Sequence, residues 1–322
     1  MKKLKVNFVD FWPYLYKTDN YFYNLLSLKY DVEIDEENPD VLFFSVDYEN
    51  TQERHKYKDC LKVFYTGENL SPNFQECDIA FSFQRSNDPK NYRLPLWALH
   101  LNWFNRPYVE QRDQAYLHSL QAFLKNTRQT HQPTPLRNPR HTWHRRCFCS
   151  FVAAQPKGER VSFVPKLSSF YKTVHCGGSL HNNINSVAPR PSIETRFGLE
   201  TVLGRGDQVH KIDFLDQFKF NVAFENCSSE GYVTEKIIHA MFANSIPIYW
   251  GDPTVHLDFN KHSFLSLHDF ESHEALIEKI KEIDQDDKKY QDMLAEPWFT
   301  NNKIPDFVQP ENVLSWLEKY LP

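Results

Sequence analysis

The chain has 322 residues, with Lys+Arg 37 against Asp+Glu 42 for a formal net charge of −5, and its 41% hydrophobic content fills ordinary cores and sets disorder aside. Only 9 glycines are present, and none lies in a G-x-G-x-x-G or G-x-x-x-x-G-K-[ST] pattern, which excludes a simple dinucleotide fold and a P-loop NTPase. The mild acidity argues against nucleic acid as a partner.

The start, Met1-Lys2-Lys3-Leu4, imitates a signal peptide, but Asn7 and Asp10 interrupt the apolar run, and residues 6–11 read as a first strand. A helix is predicted over 21–28, a strand over 41–46, a polar helix over 51–58, and strands over 61–66 and 79–83. Strands alternating with helices point to a parallel α/β sheet. Residues 125–146, with Pro133, Pro135 and Pro139 and little to bury, read as a linker. The pattern resumes with a strand over 147–154, a helix over 160–171 and a strand over 173–176, then a polar loop over 182–208. Beyond it come a helix over 213–218, a strand over 220–224, a helix over 232–243, a strand over 246–249, a charged helix over 271–292 and an amphipathic helix over 311–321. No internal repeat is visible. The expected architecture is α/β in two domains, 1–145 and 146–322, with a ligand in the cleft between them.

No apolar stretch approaches the roughly 18 residues of a membrane span. The last helix carries Val313, Leu314, Trp316, Leu317 and Leu321, a face suited to protein or to weak peripheral contact with a membrane. Six cysteines without a C-x-x-C pair read as reduced thiols of a cytoplasmic protein. His141, His144, Cys147 and Cys149 do not have the spacing of a zinc module, and the two cysteines fall on one side of a strand. Asp284-Gln285-Asp286 matches an Asp-x-Asp metal pattern but lies in a charged helical run, so it reads as a solvated face.

The most informative segment runs from Phe218 to Gly251. An apolar strand stops at Glu225-Asn226, a polar loop closes at Gly231, a helix opens near Tyr232, and a strand ends at Tyr249-Trp250-Gly251. A helix start exposes N–H groups suited to phosphate, and Tyr232 and Lys236, four apart, would share one helix face. An isolated pair such as Glu235-Lys236 is ordinarily a surface ion pair worth ~0–1 kcal/mol.

The whole run, however, resembles the signature of the α1,3-fucosyltransferases, glycosyltransferase family 10. It carries Phe224-Glu225-Asn226, Tyr232-Val233-Thr234-Glu235-Lys236 and Ile246-Pro247-Ile248-Tyr249-Trp250-Gly251, and the bacterial branch is nearest in appearance. Tyr65-Thr66-Gly67-Glu68-Asn69 with Ser71-Pro72-Asn73-Phe74 is similar to the family's acceptor motif, and 146–153 with Arg160 and Gly177-Gly178-Ser179 to the start of its donor domain. The resemblance implies a GT-B arrangement of two Rossmann-like domains. It also implies inverting transfer of L-fucose from GDP-fucose to the 3-hydroxyl of an N-acetylglucosamine-containing acceptor, giving a Lewis-type or lipopolysaccharide glycan. By position it makes Glu68 the general base and sets Glu235 near the fucose ring. Arg160, Asn226, Tyr232, Lys236 and Gly178 become donor-binding residues, and Tyr65 and Asn69 acceptor-binding ones. No metal is required under this reading, although divalent ions stimulate some members. The location implied is cytoplasmic or peripheral at the inner membrane. Two alternatives stay open: a GT-B transferase with another nucleotide sugar or acceptor, and a catalytically silent glycan-binding or sugar-nucleotide-binding protein. The silent reading predicts loss of Glu68, Glu235 or Lys236, and all three are present.

Overall fold

The computed structural model describes residues 1–12, 15–47, 50–101, 103–104, 147–184, 211–212 and 214–322. The linker expected over 125–146 and most of the polar loop expected over 182–208 lie outside the described residues, as do His141 and His144. Two compact units are formed, the first joining the early described residues to 305–322, the second holding the rest.

The first unit is built from β1 (Lys2–Val9), α1 (Tyr21–Leu26), β2 (Tyr30–Ile34), β3 (Val41–Phe44), β4 (Leu61–Tyr65), β5 (Ile79–Ser82), β6 (Asn91–Arg93) and α2 (Leu96–Leu99). Its strands form one parallel sheet in the order β2-β1-β3-β4-β5-β6. The central strand β3 is a continuous apolar run with all four residues buried, as a strand covered on both faces requires. The Phe22 ring of α1 packs on Phe43, Tyr65 and Phe81 at 4.9–5.2 Å between centroids. The first strand ends at Val9 because Asp10 turns into the left-handed region (φ 56°), where its carboxylate accepts the N–H groups of Glu53 and Arg54. The polar helix expected over 51–58 is only the short turn Glu53–Lys56.

The second unit contains β7 (Cys147–Phe151), α3 (Arg160–Phe170), β8 (Val174–Cys176), β9 (Phe218–Phe224), α4 (Glu235–Phe242), β10 (Ile246–Trp250), β11 (Leu265–Ser266), α5 (His273–Gln285) and α6 (Asp287–Ala295). Its parallel sheet runs β11-β10-β9-β7-β8. Numbered within its own unit, each sheet begins 2-1-3-4-5, so the fold repeats although the sequence does not. Sheets of this order take ligands beyond the carboxyl ends of the strands where the order reverses, here between β7 and β9 in the second unit.

Three expectations are corrected. The charged helix of 271–292 is two helices, because Asp286 adopts extended backbone and its carboxylate caps α6 through Lys288 N and Lys289 N. Asp284 is no solvated residue: its side chain is 2% exposed and accepts from Lys172 Nζ and Lys219 Nζ, each at 2.6 Å, and from Tyr171 Oη at 2.8 Å. Thirdly, the terminal helix α7 (Pro310–Leu317) belongs to the first unit. Val313, Leu314 and Leu317 are buried there, and Trp316 packs on Phe81 and Tyr92 at 5.0 and 5.2 Å. Its apolar face is therefore covered by protein, which removes the basis for peripheral membrane contact through this helix. No helix among the described residues is long and apolar enough to cross a membrane.

Candidate active site

The polar residues that end the strands of the second unit gather where its strand order reverses. Strand β9 is apolar from Val222 to Phe224 and then presents Glu225, whose N–H donates to Trp250 O at 2.7 Å and so ties it to the end of β10. The Glu225 side chain is fully buried. Its Oε1 accepts from Thr234 N at 2.7 Å, its Oε2 from Lys236 Nζ at 2.9 Å, and the Thr234 hydroxyl lies within 2.9 Å of both oxygens. Lys236 Nζ also donates to Thr234 Oγ1 at 2.7 Å. Glu235 Oε1 stands 3.8 Å from Lys236 Nζ and 3.6 Å from Lys211 Nζ. Burial pulls the Lys236 ammonium towards neutrality, but Glu225 and Glu235 outweigh it and hold the pKa above the ordinary lysine value.

Helix α4 begins at Glu235, with Thr234 as its cap residue in extended conformation. Tyr232 thus precedes the helix, which corrects the expectation that it shares a helix face with Lys236. Its side chain is buried, and its carbonyl accepts from Tyr249 Oη at 3.4 Å. Among the described residues, no hydrogen bond joins the Thr234 side chain to the first-turn N–H groups, because its hydroxyl is engaged by Glu225 and Lys236.

Arg160 opens α3 and is 1% exposed. Its Nη2 donates to Phe224 O at 2.8 Å and its Nη1 to Gln155 O at 3.5 Å; among the described residues its Nε has no hydrogen-bond partner. Burial lowers its pKa against the opposing pull of Glu225, Tyr232 and Glu235. It is a buried cation at the end of β9 rather than a surface ion-pair residue. Asn226 follows Glu225 and is partly exposed. Gly178 has a packing reason for its identity: a Cβ there would stand 2.1 Å from Ala153 O. Gly251 is constrained more tellingly, since a Cβ would come 2.5 Å from Glu225 Cγ. His268 stacks on Trp250 at 6.3 Å and its Nε2 lies 3.1 Å from Gly251 O.

In the first unit, Glu68 and Asn69 follow the end of β4, partly exposed, and Glu68 N donates to Thr66 Oγ1 at 2.9 Å in a tight turn. Tyr65 is fully buried with its ring against Phe22. Among the described residues no group of His, Cys, Asp or Glu is arranged to hold a metal ion.

Sequence reasoning therefore brought Lys236, Glu235, Arg160 and Asn226 to one end of one sheet, and missed Glu225, Thr234 and Gly251 as a working unit. The signal was a carboxylate directly after a strand that is apolar except at Lys219 and Asn221, with a glycine closing the neighbouring strand.

The comparisons agree with this layout. Residues 6–100 match the alpha-(1,3)-fucosyltransferase FucT N-terminal domain, and residues 144–313 match the glycosyltransferase family 10 (fucosyltransferase) C-terminal domain. An alpha-(1,3)-fucosyltransferase FucT of Helicobacter pylori is 33% identical over 289 residues, 85% of this chain. The chain spans 55% of that relative's length. A crystal structure of an alpha1,3-fucosyltransferase superposes with a TM-score of 0.74 at 28% identity, covering 99% of this chain and 90% of the other. Another, with GDP-fucose, gives 0.72 at 29% identity, covering 100% and 91%. Two Rossmann-like α/β units of GT-B type are the class that this fold defines. Within it, the chain belongs to glycosyltransferase family 10.

Proposed function

We propose that the protein transfers L-fucose from GDP-fucose to the 3-hydroxyl of N-acetylglucosamine in a lactosamine-type glycan, with inversion at the anomeric carbon. The observation that carries the reading is the cluster of Arg160, Lys236 and Glu235 around buried Glu225 at the carboxyl end of β9. Donor binding falls to the second unit and acceptor binding to the first. A similar chain, solved with GDP-fucose, supports the donor.

In the reaction, the acceptor hydroxyl attacks the fucose anomeric carbon while the bond to the diphosphate oxygen breaks, and the electron pair leaves with GDP. Glu68 takes the hydroxyl proton, a role worth roughly 10²–10⁴-fold in rate. Its support is its place in the turn after β4. Lys236 and Arg160 offset the charge gathering on the diphosphate, Lys236 as a point charge and Arg160 through the guanidinium edge not engaged by Phe224 O. Asn226 and the backbone around Tyr232 position the nucleotide sugar. The Glu235 carboxylate stabilises positive charge on the fucose ring in an oxocarbenium-like transition state. These cations take the part that a metal plays elsewhere, so a metal is not required. The cytoplasmic assignment is supported by the free thiols of Cys77, Cys149 and Cys176, all buried.

The test is incubation with GDP-fucose and a panel of type 1, type 2 and glucose-containing acceptors in buffer stripped of metal. The reading expects fucosylated type 2 product. GDP binding without product on any acceptor would favour a silent binding protein, and turnover of another sugar nucleotide alone would move the protein to a different donor.

A further inference from the structure

Lys236 Nζ is the point charge of the donor site, yet it stands on a flexible four-carbon stem and its side chain is only 18% exposed, so something must fix where its ammonium stands. The fixing group is the Glu225 carboxylate. It has no exposed surface, sits on a strand end pinned by Glu225 N to Trp250 O, and reaches both Thr234 and Lys236 across the loop of 226–233. The same carboxylate engages the Thr234 hydroxyl. A threonine in the cap position ordinarily turns its oxygen onto the second or third N–H of its helix. Here that oxygen receives Lys236 Nζ instead, at 2.7 Å, and the first-turn N–H groups of α4 are left without that cap. One buried carboxylate therefore prepares both halves of an anion site, the ammonium and the helix start. Gly251 completes the device by leaving room for the Glu225 side chain.

We propose that Glu225 is the positioning residue of the diphosphate site, holding the Lys236 ammonium in place and keeping the Thr234 hydroxyl from capping α4. This rests on the reading of the second unit as the GDP-fucose site. Glu225 itself touches no reacting atom and acts through Thr234 and Lys236. Among the described residues, the charged groups around Lys236 are Glu225 from the end of β9, Glu235 from its own helix with Lys211 beside it, and Arg160 from α3. Glu225 and Glu235 hold the proton on Lys236, whereas burial and Arg160 act to remove it. Replacing Glu225 by its neutral isostere leaves Glu235 as the only carboxylate in that set, so Lys236 releases its proton at a lower pH.

The experiment is calorimetric titration of GDP into the wild type, Glu225→Gln, Thr234→Val and Thr234→Ser from about pH 7 to about pH 9.5, with melting curves to show that each is folded. Affinities are read as ratios to the wild type, which cancels the titration of GDP itself. For Glu225→Gln the ratio should fall about tenfold across that range, for Thr234→Val by about two- to threefold, and for Thr234→Ser not at all, because serine keeps the hydroxyl. Ratios independent of pH, even with a lowered melting temperature, would leave Glu225 a purely structural residue and overturn the proposal. A wild type that binds no GDP would overturn the donor reading and this inference with it.

Discussion

Replacing Gly251 by alanine adds one methyl group at the point where β10 meets the buried carboxylate. The new Cβ would stand 2.5 Å from Glu225 Cγ, 2.8 Å from Glu225 Cβ and 2.7 Å from Tyr249 Oη. Carbon atoms in contact normally rest about 3.5–4.0 Å apart, so the Glu225 side chain must withdraw by about 1 Å. Its bonds to Thr234 and Lys236 are 2.7–2.9 Å long, and such a withdrawal carries them beyond hydrogen-bonding distance. Overpacking costs about 1–3 kcal/mol, and each hydrogen bond to a charged group that is lost adds about 1.5–3 kcal/mol. Scanning calorimetry should show a melting temperature lower by roughly 4 °C or more, since about 1 kcal/mol corresponds to about 2–4 °C in a domain of this size. GDP titration should show an affinity weaker by about tenfold or more, the equivalent of about 1.4 kcal/mol. A folded Gly251→Ala protein with wild-type melting and wild-type GDP affinity would refute the coupling of strand end, carboxylate and ammonium.

Glu68→Gln should abolish transfer while changing GDP affinity by less than about threefold, because in the proposed mechanism Glu68 acts on the acceptor and not on the donor; retained turnover would remove Glu68 from that role. Leu317→Ala should destabilise the protein by about 2–5 kcal/mol in chemical denaturation, since Leu317 is wholly buried, and should leave vesicle co-sedimentation unchanged. For Asp284, burial disfavours its charge, but Lys172, Lys219 and Tyr171 outweigh it and hold its pKa below the ordinary value of 3.8. The stability it contributes is therefore present above that value and lost as pH falls below it. Asp284→Asn should lower stability at neutral pH and flatten the acid limb of the stability profile; an unchanged limb would contradict the assignment.

The parallel α/β character was legible because buried strands such as 41–44, an apolar run, and 218–224, apolar except at Lys219 and Asn221, are set between amphipathic segments. The edge strand β2 also left a signal, with Tyr30, Val32 and Ile34 alternating with Asp31 and Glu33, but half-buried edges alternate too weakly to stand out. The place of α7 was hidden. Its amphipathic face announces a partner without naming it, and that partner, Phe81 with Tyr92, lies more than 200 residues earlier in the chain. Asp284 misled for a related reason: in a run of charges, only the tertiary positions of Lys172 and Lys219 distinguish a buried carboxylate from a solvated one. At the site, the charged residues were legible as a motif with regular spacing. Glu225 was in plain view within that motif, yet its function depends on what Thr234 and Gly251 do around it, and spacing alone does not carry that. Tyr65 shows the converse, since membership of a motif at a strand end does not turn a side chain outward.

The most direct test of the central claim is nuclear magnetic resonance of the product formed from GDP-fucose and N-acetyllactosamine in metal-free buffer. The account predicts one new fucosyl unit on the 3-hydroxyl of N-acetylglucosamine, with anomeric configuration opposite to that of the donor. Retained configuration, attachment to another sugar, or no fucosyl product would contradict it.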